Sequence, residues 1–427
     1  MKYSLLMLTS LMALVAGTLP TYAQSWNLTG NAGTSGTGNQ FAGTTDNKTF
    51  YLKADSKTGL RIVPAGSVPN HVGGSFYNAV GTGVNGGAVG GGGSQNDPHT
   101  ITDNYSTVGG GAQNQAGDGA GTVEDAAYAT VGGGFGNFAS AFSATVGGGY
   151  ANSALQGDSS VAGGAFNLAD GEGAGVAGGL FHDATGDYAT VGGGYGNLAS
   201  GYVSTVAGGY FGEATGSYSA ILGGYFNEAT GSGSVALGWR AKSLHSGAFV
   251  WSDSSSGDFS STASHQFRAR ASGGVTFFTN SAATVGATLA PGSGSWAVVS
   301  DRALKGNFAP VDGVQVLEKL AALPIGTWNY TSQDASVRHI GPTAQDFRAA
   351  FAVGEDERHI STVDADGVAL AAIQGLHRLV QSKDEQIQQQ QQQLAALQRR
   401  LETIERVVQA PQAPSYRAAV YTQPADR

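Results

Sequence analysis

Glycine-rich phrases with a valine or isoleucine at their second position recur at a fixed spacing through the middle of the chain. Nine copies begin between Thr107 and Ser234, and six consecutive steps between them are 15 residues long. A period this short and regular is typical of a solenoid, in which each repeat forms one coil stacked on its neighbour. The copies are TVGGGAQN, TVGGGFGN, TVGGGYAN, SVAGGAFN, GVAGGLFH, TVGGGYGN, TVAGGYFG, AILGGYFN and SVALGWRA.

A coil of this length can hold two short strands joined by tight turns, with neighbouring coils about 4.8 Å apart. About eleven coils between residues 70 and 240 would form a rod on the order of 50 Å long. We expect Asn137, Asn197 and His182, which end their phrases, to lie in surface turns. The second-position valines are expected to point inward; they are Val108, Val131, Val146, Val161, Val176, Val191 and Val206.

The apolar core of such a rod is thin. Each coil offers one valine, one aromatic residue and one or two alanines. Because a single chain would bury little apolar surface, bundling with identical copies is the physical expectation. The sequence therefore predicts a mainly β protein whose principal partner is a further copy of itself.

The composition narrows the functions that fit. The 427 residues include 68 glycines and no cysteine, and the formal net charge is −9. The acidic balance and the lack of a lysine or arginine cluster in the repeats argue against nucleic acid as a partner. No phosphate-binding motif follows a glycine run and the eight histidines are scattered. Neither a cofactor nor a metal is therefore expected.

The first 23 residues have the features of a signal peptide. A lysine at position 2 precedes an apolar stretch, and the small residues Thr21 and Ala23 favour cleavage before Gln24. The apolar run is too short to span a membrane. We expect a mature chain that is secreted or held at the cell surface without a transmembrane anchor. Residues 24–69 are predicted to form a β cap before the repeats.

Residues 242–299 lose the regular period and gain aromatic and charged side chains. Phe267 and Ala269 alternate with Arg268 and Arg270, which is a strand pattern. This segment is predicted to form a β neck that follows a repeat region spanning residues 70–241.

The repeats resemble those of a known family. Phrases such as GDYATVGGGYGNLAS, residues 186–200, are similar to the head repeats of YadA-like trimeric autotransporter adhesins. The resemblance covers about residues 70–240. It implies a left-handed parallel β-roll, three of which pack around one axis, and an adhesive function.

A second resemblance begins near residue 300. SDRALKGN (300–307), PIGTWNY (324–330) and HIGPTAQDF (339–347) are similar to the self-cleaving intramolecular chaperone domain of phage endosialidase tail spikes. The similarity spans about residues 299–408. It implies that three chains assemble and that each is then cut at the Val299–Ser300 bond, with Ser300 as nucleophile and Lys305 as its base. The supporting motif residues that it implies are Asp301, Asn307, His339, Gly341 and Gln345.

The residue types fit this chemistry in their own right. A serine hydroxyl is a poor nucleophile unless a neighbour accepts its proton, and lysine does so only when desolvation favours the neutral amine. Burial in a subunit interface would couple cleavage to assembly. Five residues correspond to about 140° around a helix, so Ser300 and Lys305 must be joined by a turn or come from different chains. Because Pro342 and Thr343 replace the family's aromatic and aliphatic residues, a retained, uncut trimerisation domain is the alternative.

The pattern becomes helical after about residue 364. Apolar residues fall every seven positions, with a second series three residues further on, which indicates a coiled-coil helix over 364–410. A trimer matches the rest of the chain, although the heptads alone also allow a dimer. Residues 411–427 are predicted to be a disordered tail. The first series comprises Ile373, Val380, Ile387, Leu394, Leu401 and Val408, and the second Leu376, Lys383, Gln390, Leu397 and Ile404.

These patterns together predict a homotrimeric, adhesin-like fibre with residues 300–363 as its assembly domain. A host-surface or glycan receptor is the expected partner of the fibre. A glycan-degrading or glycan-binding tail spike is the alternative function. Degradation would need paired carboxylates in a groove, and Asp118, Glu124 and Asp125 form the acidic cluster in the repeats that could provide them.

Overall fold

The computed structural model describes residues 42–410. The predicted signal peptide, the start of the predicted cap and the predicted tail at 411–427 lie outside the described residues. The chain divides into two compact units at the Val299–Ser300 bond, and each unit is described by itself. The strands and helices of the two units confirm a mainly β protein with a solenoid, a small α+β region and a C-terminal helix.

The first unit is a β-solenoid of about 13 turns. Two long sheets run along it, and each coil contributes one strand to each sheet. Strands in successive coils pair in parallel at the predicted spacing, so that Val131, Val146 and Val161 lie side by side.

Among the residues that the structure describes, the first long sheet has 15 strands and the second has 12. The strands of the first are Phe50–Ala54, Lys57–Val63, Asn70–Gly73, Ala88–Val89, Thr107–Val108, Thr130–Val131, Thr145–Val146, Ser160–Val161, Gly175–Val176, Thr190–Val191, Thr205–Val206, Ala220–Tyr225, Val235–Trp239, Phe249–Ser252 and Phe267–Arg270. Those of the second are Ala79–Val80, Thr100–Ile101, Gln115–Ala116, Phe138–Ala139, Ser153–Ala154, Leu168–Ala169, Asp183–Ala184, Leu198–Ala199, Glu213–Ala214, Glu228–Ala229, Ala241–Ser243 and Phe259–Ser260.

The core is thinner than the sequence predicts, because the aromatic residues of the coils, such as Phe135, Tyr150 and Phe166, lie exposed on the surface and not inside. The seven second-position valines are buried, none more than 2% exposed. The facing strand of each coil contributes a fully buried alanine, such as Ala139, Ala154 and Ala169. Each coil therefore adds one valine and one or two alanines to a single continuous column.

One glycine of each phrase is required by the backbone. The fifth residue is glycine in all nine copies, and at Gly149 its φ is +101°. A Cβ there would also clash with the carbonyl oxygen of Gly164 in the next coil. Gly148, in contrast, has only ordinary contacts for an added Cβ.

The asparagine that ends six of the nine phrases is buried, so the predicted surface turn is wrong. Asn137 and Asn197 are no more than 1% exposed. The Asn152 amide shows why: its Nδ2 donates to the carbonyl oxygens of Gly148 and Gly164, both at 2.9 Å. Its backbone N–H donates to Asn137 Oδ1 at 3.0 Å. The side chains thus form a ladder of hydrogen bonds that satisfies the buried polar groups of three successive coils.

His182 occupies a position in this asparagine ladder and is also buried, not in a surface turn. Its Nδ1 accepts a hydrogen bond from the Asn197 N–H at 3.1 Å, but its Nε2 has no partner among the described residues. Burial lowers the pKa of His182, and the backbone of Gly194 and the charge of Asp183 oppose that shift only in part. His99 takes the same role near the start of the repeats.

The solenoid extends beyond the predicted boundary at residue 241. Trp251 pairs in parallel with Ala269, so the segment predicted as the first half of a neck forms further coils. Arg270, in the last strand of the first sheet, is bound to the preceding coil. Its Nη2 donates a hydrogen bond to Ser252 Oγ at 2.7 Å, and its Nε lies 3.3 Å from Asp253 Oδ1 in an ion pair. The remaining neck is a separate antiparallel sheet of Val275–Phe278, Gly286–Leu289 and Trp296–Val298.

The N-terminal end of the solenoid is covered by an antiparallel hairpin. At the N-terminal end, the hairpin of Phe50–Ala54 and Lys57–Val63 pairs antiparallel with the first coil strand, Asn70–Gly73. This described part of the predicted cap is β structure, as expected.

Up to residue 410, the second unit contains three α-helices: α1 (Gly313–Ala322), α2 (Ala344–Phe351) and α3 (Thr362–Gln409). Gly326–Trp328 and His339–Gly341 form a two-stranded antiparallel sheet. Helix α1 crosses α3 at Gly313 and Gly375, where a Cβ on either residue would clash with the opposite backbone. Helix α3 has 48 residues. None of the described helices is long and apolar enough to cross a membrane.

We predict that Gly149→Ala destabilises the solenoid by about 2 kcal/mol or more, because it combines a positive φ with a backbone clash. Gly148→Ala, one residue earlier, should change stability by less than about 1 kcal/mol. Thermal unfolding of the two variants provides the measurement. Equal losses in both would show that the backbone constraint has been misplaced.

We predict that His182→Asn stabilises the protein by about 1 kcal/mol, since the new amide can donate to two carbonyls, as Asn197 donates to Gly193 and Gly209. It should also reduce acid sensitivity. Because the folded-state pKa of His182 lies below its unfolded value, stability falls as the pH drops below about 6.5. Denaturation at about pH 7 and about pH 5 measures both effects.

Asn152→His is the matched control for this prediction. It should lower stability and steepen the loss toward acid, because it adds a second buried imidazole to the same ladder. An identical pH response in wild type and both variants would contradict the assignment.

Candidate active site

Ser300 and Lys305 meet within one chain. Lys305 Nζ donates a hydrogen bond to Ser300 Oγ at 2.6 Å. The spacing allowed the two residues either to be joined by a turn or to come from different chains, and the structure has the turn. A hydroxyl in contact with an amine is the geometry that proton transfer from serine requires.

A single 3₁₀ turn, Arg302–Leu304, brings the two side chains together. Asp301 caps this turn, because its Oδ1 accepts a hydrogen bond from the Ala303 N–H at 2.9 Å. The Lys305 N–H closes the turn by donating to the Arg302 carbonyl at 3.2 Å. The predicted motif residue Asp301 thus fixes the path of the chain between the two reactive groups.

Asn307 leaves the turn in the left-handed region, with φ +57°. Asparagine tolerates this conformation better than most residues with a Cβ. Its place in the motif is therefore explained by the backbone that follows Lys305.

The bond predicted to be cut lies at the division between the two units. On one side, the Val299 N–H donates to the Gly286 carbonyl at 3.1 Å, which extends the last strand of the antiparallel neck sheet. On the other side, Ser300 begins the turn. Ser300 and Lys305 are both exposed to solvent in the single chain.

The other motif residues lie in the two-stranded sheet and at α2. His339 Nε2 pairs with Gln333 Oε1 at 2.9 Å, and the His339 ring packs against Trp328, with centroids 4.9 Å apart. Gly341 pairs with Gly326 across the sheet. Between residues 42 and 410, no hydrogen bond joins His339 to Ser300 or Lys305, so its part in cleavage stays a prediction.

Gln345 lies in the first turn of α2 and is exposed. It lines a shallow groove with Arg348, Ala349 and Glu357. The neighbouring Thr343 is the N-cap of α2, and its Oγ1 accepts a hydrogen bond from the Asp346 N–H at 3.2 Å. The departure from the family's aliphatic residue at this position therefore provides a helix cap.

The acidic cluster in the repeats differs from the expected one. Asp118 and Asp125 lie together, but the third carboxylate is Asp103 and not Glu124. Asp103 stands 15 residues before Asp118, which is the coil period and the signal that could have identified it. Asp103 was not predicted because it is separated in sequence from the acidic residues at 118–125.

The second unit matches a known family. Residues 300–353 match the peptidase family described as the chaperone of endosialidase. The match begins at Ser300 and ends before α3, so it is shorter than the expected 299–408. No curated protein has significant sequence similarity to the chain. The chain therefore combines a β-solenoid with an endosialidase-type chaperone domain, an arrangement that fits a tail-spike-like fibre.

Proposed function

We propose that the chain forms a homotrimeric surface fibre whose C-terminal unit drives assembly and then cuts itself off at the Val299–Ser300 bond. The observation that carries the proposal is the 2.6 Å contact between Lys305 Nζ and Ser300 Oγ at the division between the units. A family of self-acting peptidases that matches from the same serine onward supports it.

The chemistry follows from these two side chains. Neutral Lys305 accepts the hydroxyl proton of Ser300, and the Ser300 oxygen attacks the carbonyl carbon of Val299. The peptide C–N bond breaks as the Ser300 nitrogen takes up a proton, which leaves Val299 joined to Ser300 by an ester. Water then hydrolyses the ester to a Val299 carboxylate and a Ser300 hydroxyl. Each chain can complete this reaction only once.

Solvent exposure of the two residues links the reaction to assembly. An ammonium in water keeps its proton, whereas burial in an interface favours the neutral amine. Because Lys305 is exposed in the single chain, we propose that neighbouring chains complete the site. A newly made chain would then stay intact until its fibre had assembled.

Helix α3 supports association between chains. Its heptad residues form an exposed apolar stripe, with Ile373, Leu394 and Leu401 each about 60% exposed or more in the single chain. Helices with such a stripe supercoil around one another to bury it. We assign this stripe to a trimeric coiled coil.

The solenoid is the proposed receptor-binding part of the fibre. Aromatic side chains stack from coil to coil along its surface, as Tyr195 does on Tyr210 and Tyr225 on Trp239. A second row includes Tyr188, Tyr202 and Tyr218. Tyrosine and tryptophan suit interfaces because one part of the ring is apolar and another is polar. With two rows, one row can contact neighbouring copies while the other remains free to bind a host-surface or glycan receptor. This assignment is consistent with the adhesin-like repeats and with the predicted export.

We predict that the wild-type chain yields a fragment ending at Val299 and a second of residues 300–427. Ser300→Ala should abolish the cut because no nucleophile remains. Lys305→Arg should abolish it as well, since a guanidinium does not give up its proton at usable pH. Intact mass spectrometry and N-terminal sequencing identify the products. An uncut wild-type protein would overturn the proposed cleavage, and the alternative of a retained trimerisation domain would stand.

We predict that Leu394→Asp combined with Leu401→Asp, in the Ser300→Ala background, prevents trimer formation. The two leucines are exposed in the single chain, so the substitutions spare its fold, yet each buries a carboxylate at a helix seam at a cost of several kcal/mol. Light scattering should give three times the mass of the single chain for the parent and less for the variant.

The matched control is Gln388→Asp with Gln392→Asp, which adds the same charge outside the seam. It should remain trimeric. In the wild-type background the leucine pair should slow cleavage by more than about tenfold, in line with the loss of assembly. Full cleavage in a monomeric variant would rule out the proposed coupling.

A further inference from the structure

The insertion that follows the strand Gln115–Ala116 folds back onto an earlier coil. The Asn104 N–H donates to the Val123 carbonyl at 2.7 Å, and the Tyr128 N–H donates to the Asn104 carbonyl at 3.0 Å. The insertion is thereby held against the segment around Asp103.

Three carboxylates meet where the insertion touches that coil. Asp103, Asp118 and Asp125 each provide one oxygen, and the three oxygens lie within 4.8 Å of one another. Asp118 and Asp125 are exposed, whereas Asp103 is only 1% exposed. The cluster therefore has a buried floor and an open side.

The hydrogen bonds of Asp103 leave one of its oxygens unsatisfied. Oδ2 accepts hydrogen bonds from Thr102 Oγ1 at 2.8 Å and from the Asp118 N–H at 3.1 Å. Oδ1 is buried and makes no hydrogen bond of normal geometry in the described part of the chain, although the backbone N–H of Ala126 partly stabilises the carboxylate. A buried carboxylate oxygen without a donor is costly unless a cation or a proton satisfies it. Burial, and then the charge of Asp118, accordingly raises the pKa of Asp103.

No basic side chain of the solenoid can supply that cation. The sequence contains neither lysine nor arginine between Arg61 and Arg240. The ion pairs of the described residues likewise leave the three carboxylates without a partner. Within residues 42–410 of a single chain, this leaves a proton or a cation from solution to neutralise the three carboxylates.

We propose that Asp103, Asp118 and Asp125 bind a divalent cation, and that calcium is the ion this site favours. Calcium takes six to eight oxygen ligands in flexible geometry, which suits three carboxylates from two separate segments plus water. Magnesium demands a regular octahedron of shorter bonds. A bound ion would fasten the insertion to the coil stack, and the site does not depend on the proposed cleavage.

The test is isothermal titration of calcium chloride into the full-length chain after treatment with a chelator. We expect one site per chain with a Kd of about 10⁻⁴–10⁻³ M, as in other extracellular calcium modules. Asp118→Asn and Asp125→Asn should each weaken binding by about tenfold or more, because each removes a charged ligand. Both residues are exposed, so the fold is not at risk.

Glu124→Gln is the matched control, since it removes the same charge from the same insertion outside the cluster. It should bind calcium like the wild type. No binding at about 10 mM calcium, well above that Kd range, would overturn the proposal. So would equal weakening in Glu124→Gln and Asp118→Asn. Magnesium binding as tight as calcium binding would contradict the assignment to calcium.

Discussion

The limited apolar burial of each coil is the constraint on which the rest of the molecule depends. One valine and one or two alanines per coil cannot hold a long rod together by hydrophobic burial alone. Backbone pairing between coils and the asparagine ladder satisfy the polar groups inside the stack. Neither device covers the exposed aromatic rows or the apolar stripe of α3, which is why we propose that both the solenoid and the helix associate with further chains.

Such a chain needs an assembly step that a compact enzyme does not. Strands of two residues gain little until the neighbouring coil has formed, and in the proposed trimer three rods must begin in the same register. A helical unit at the C-terminal end, which can associate through its heptads, is well suited to start that process. Removal of the unit afterwards would make assembly irreversible, because the associating helix would no longer be attached to the fibre.

The sequence predicted those features that follow from period and polarity. The inward valines followed from their regular spacing, and α3 followed from its heptads. The burial of the asparagines could not be predicted in this way, because an asparagine after glycines ordinarily indicates an exposed turn. Its burial depends on carbonyl groups from the next coil, which appear only once the coils are stacked. For Ser300 and Lys305 the spacing excluded one helical face, but the local geometry was needed to choose between a turn and two chains. The place of Asp103 beside Asp125 likewise depends on how the insertion folds back.

The central claim is that the Ser300–Lys305 pair becomes active when chains assemble. The most direct measurement is the initial rate of cleavage per chain after the denatured full-length protein is diluted into refolding buffer at a series of concentrations. If neighbouring chains complete the site, the rate per chain rises with concentration and levels off once association is no longer limiting. A rate per chain that is the same at every concentration, including those at which light scattering shows only monomer, would contradict the account.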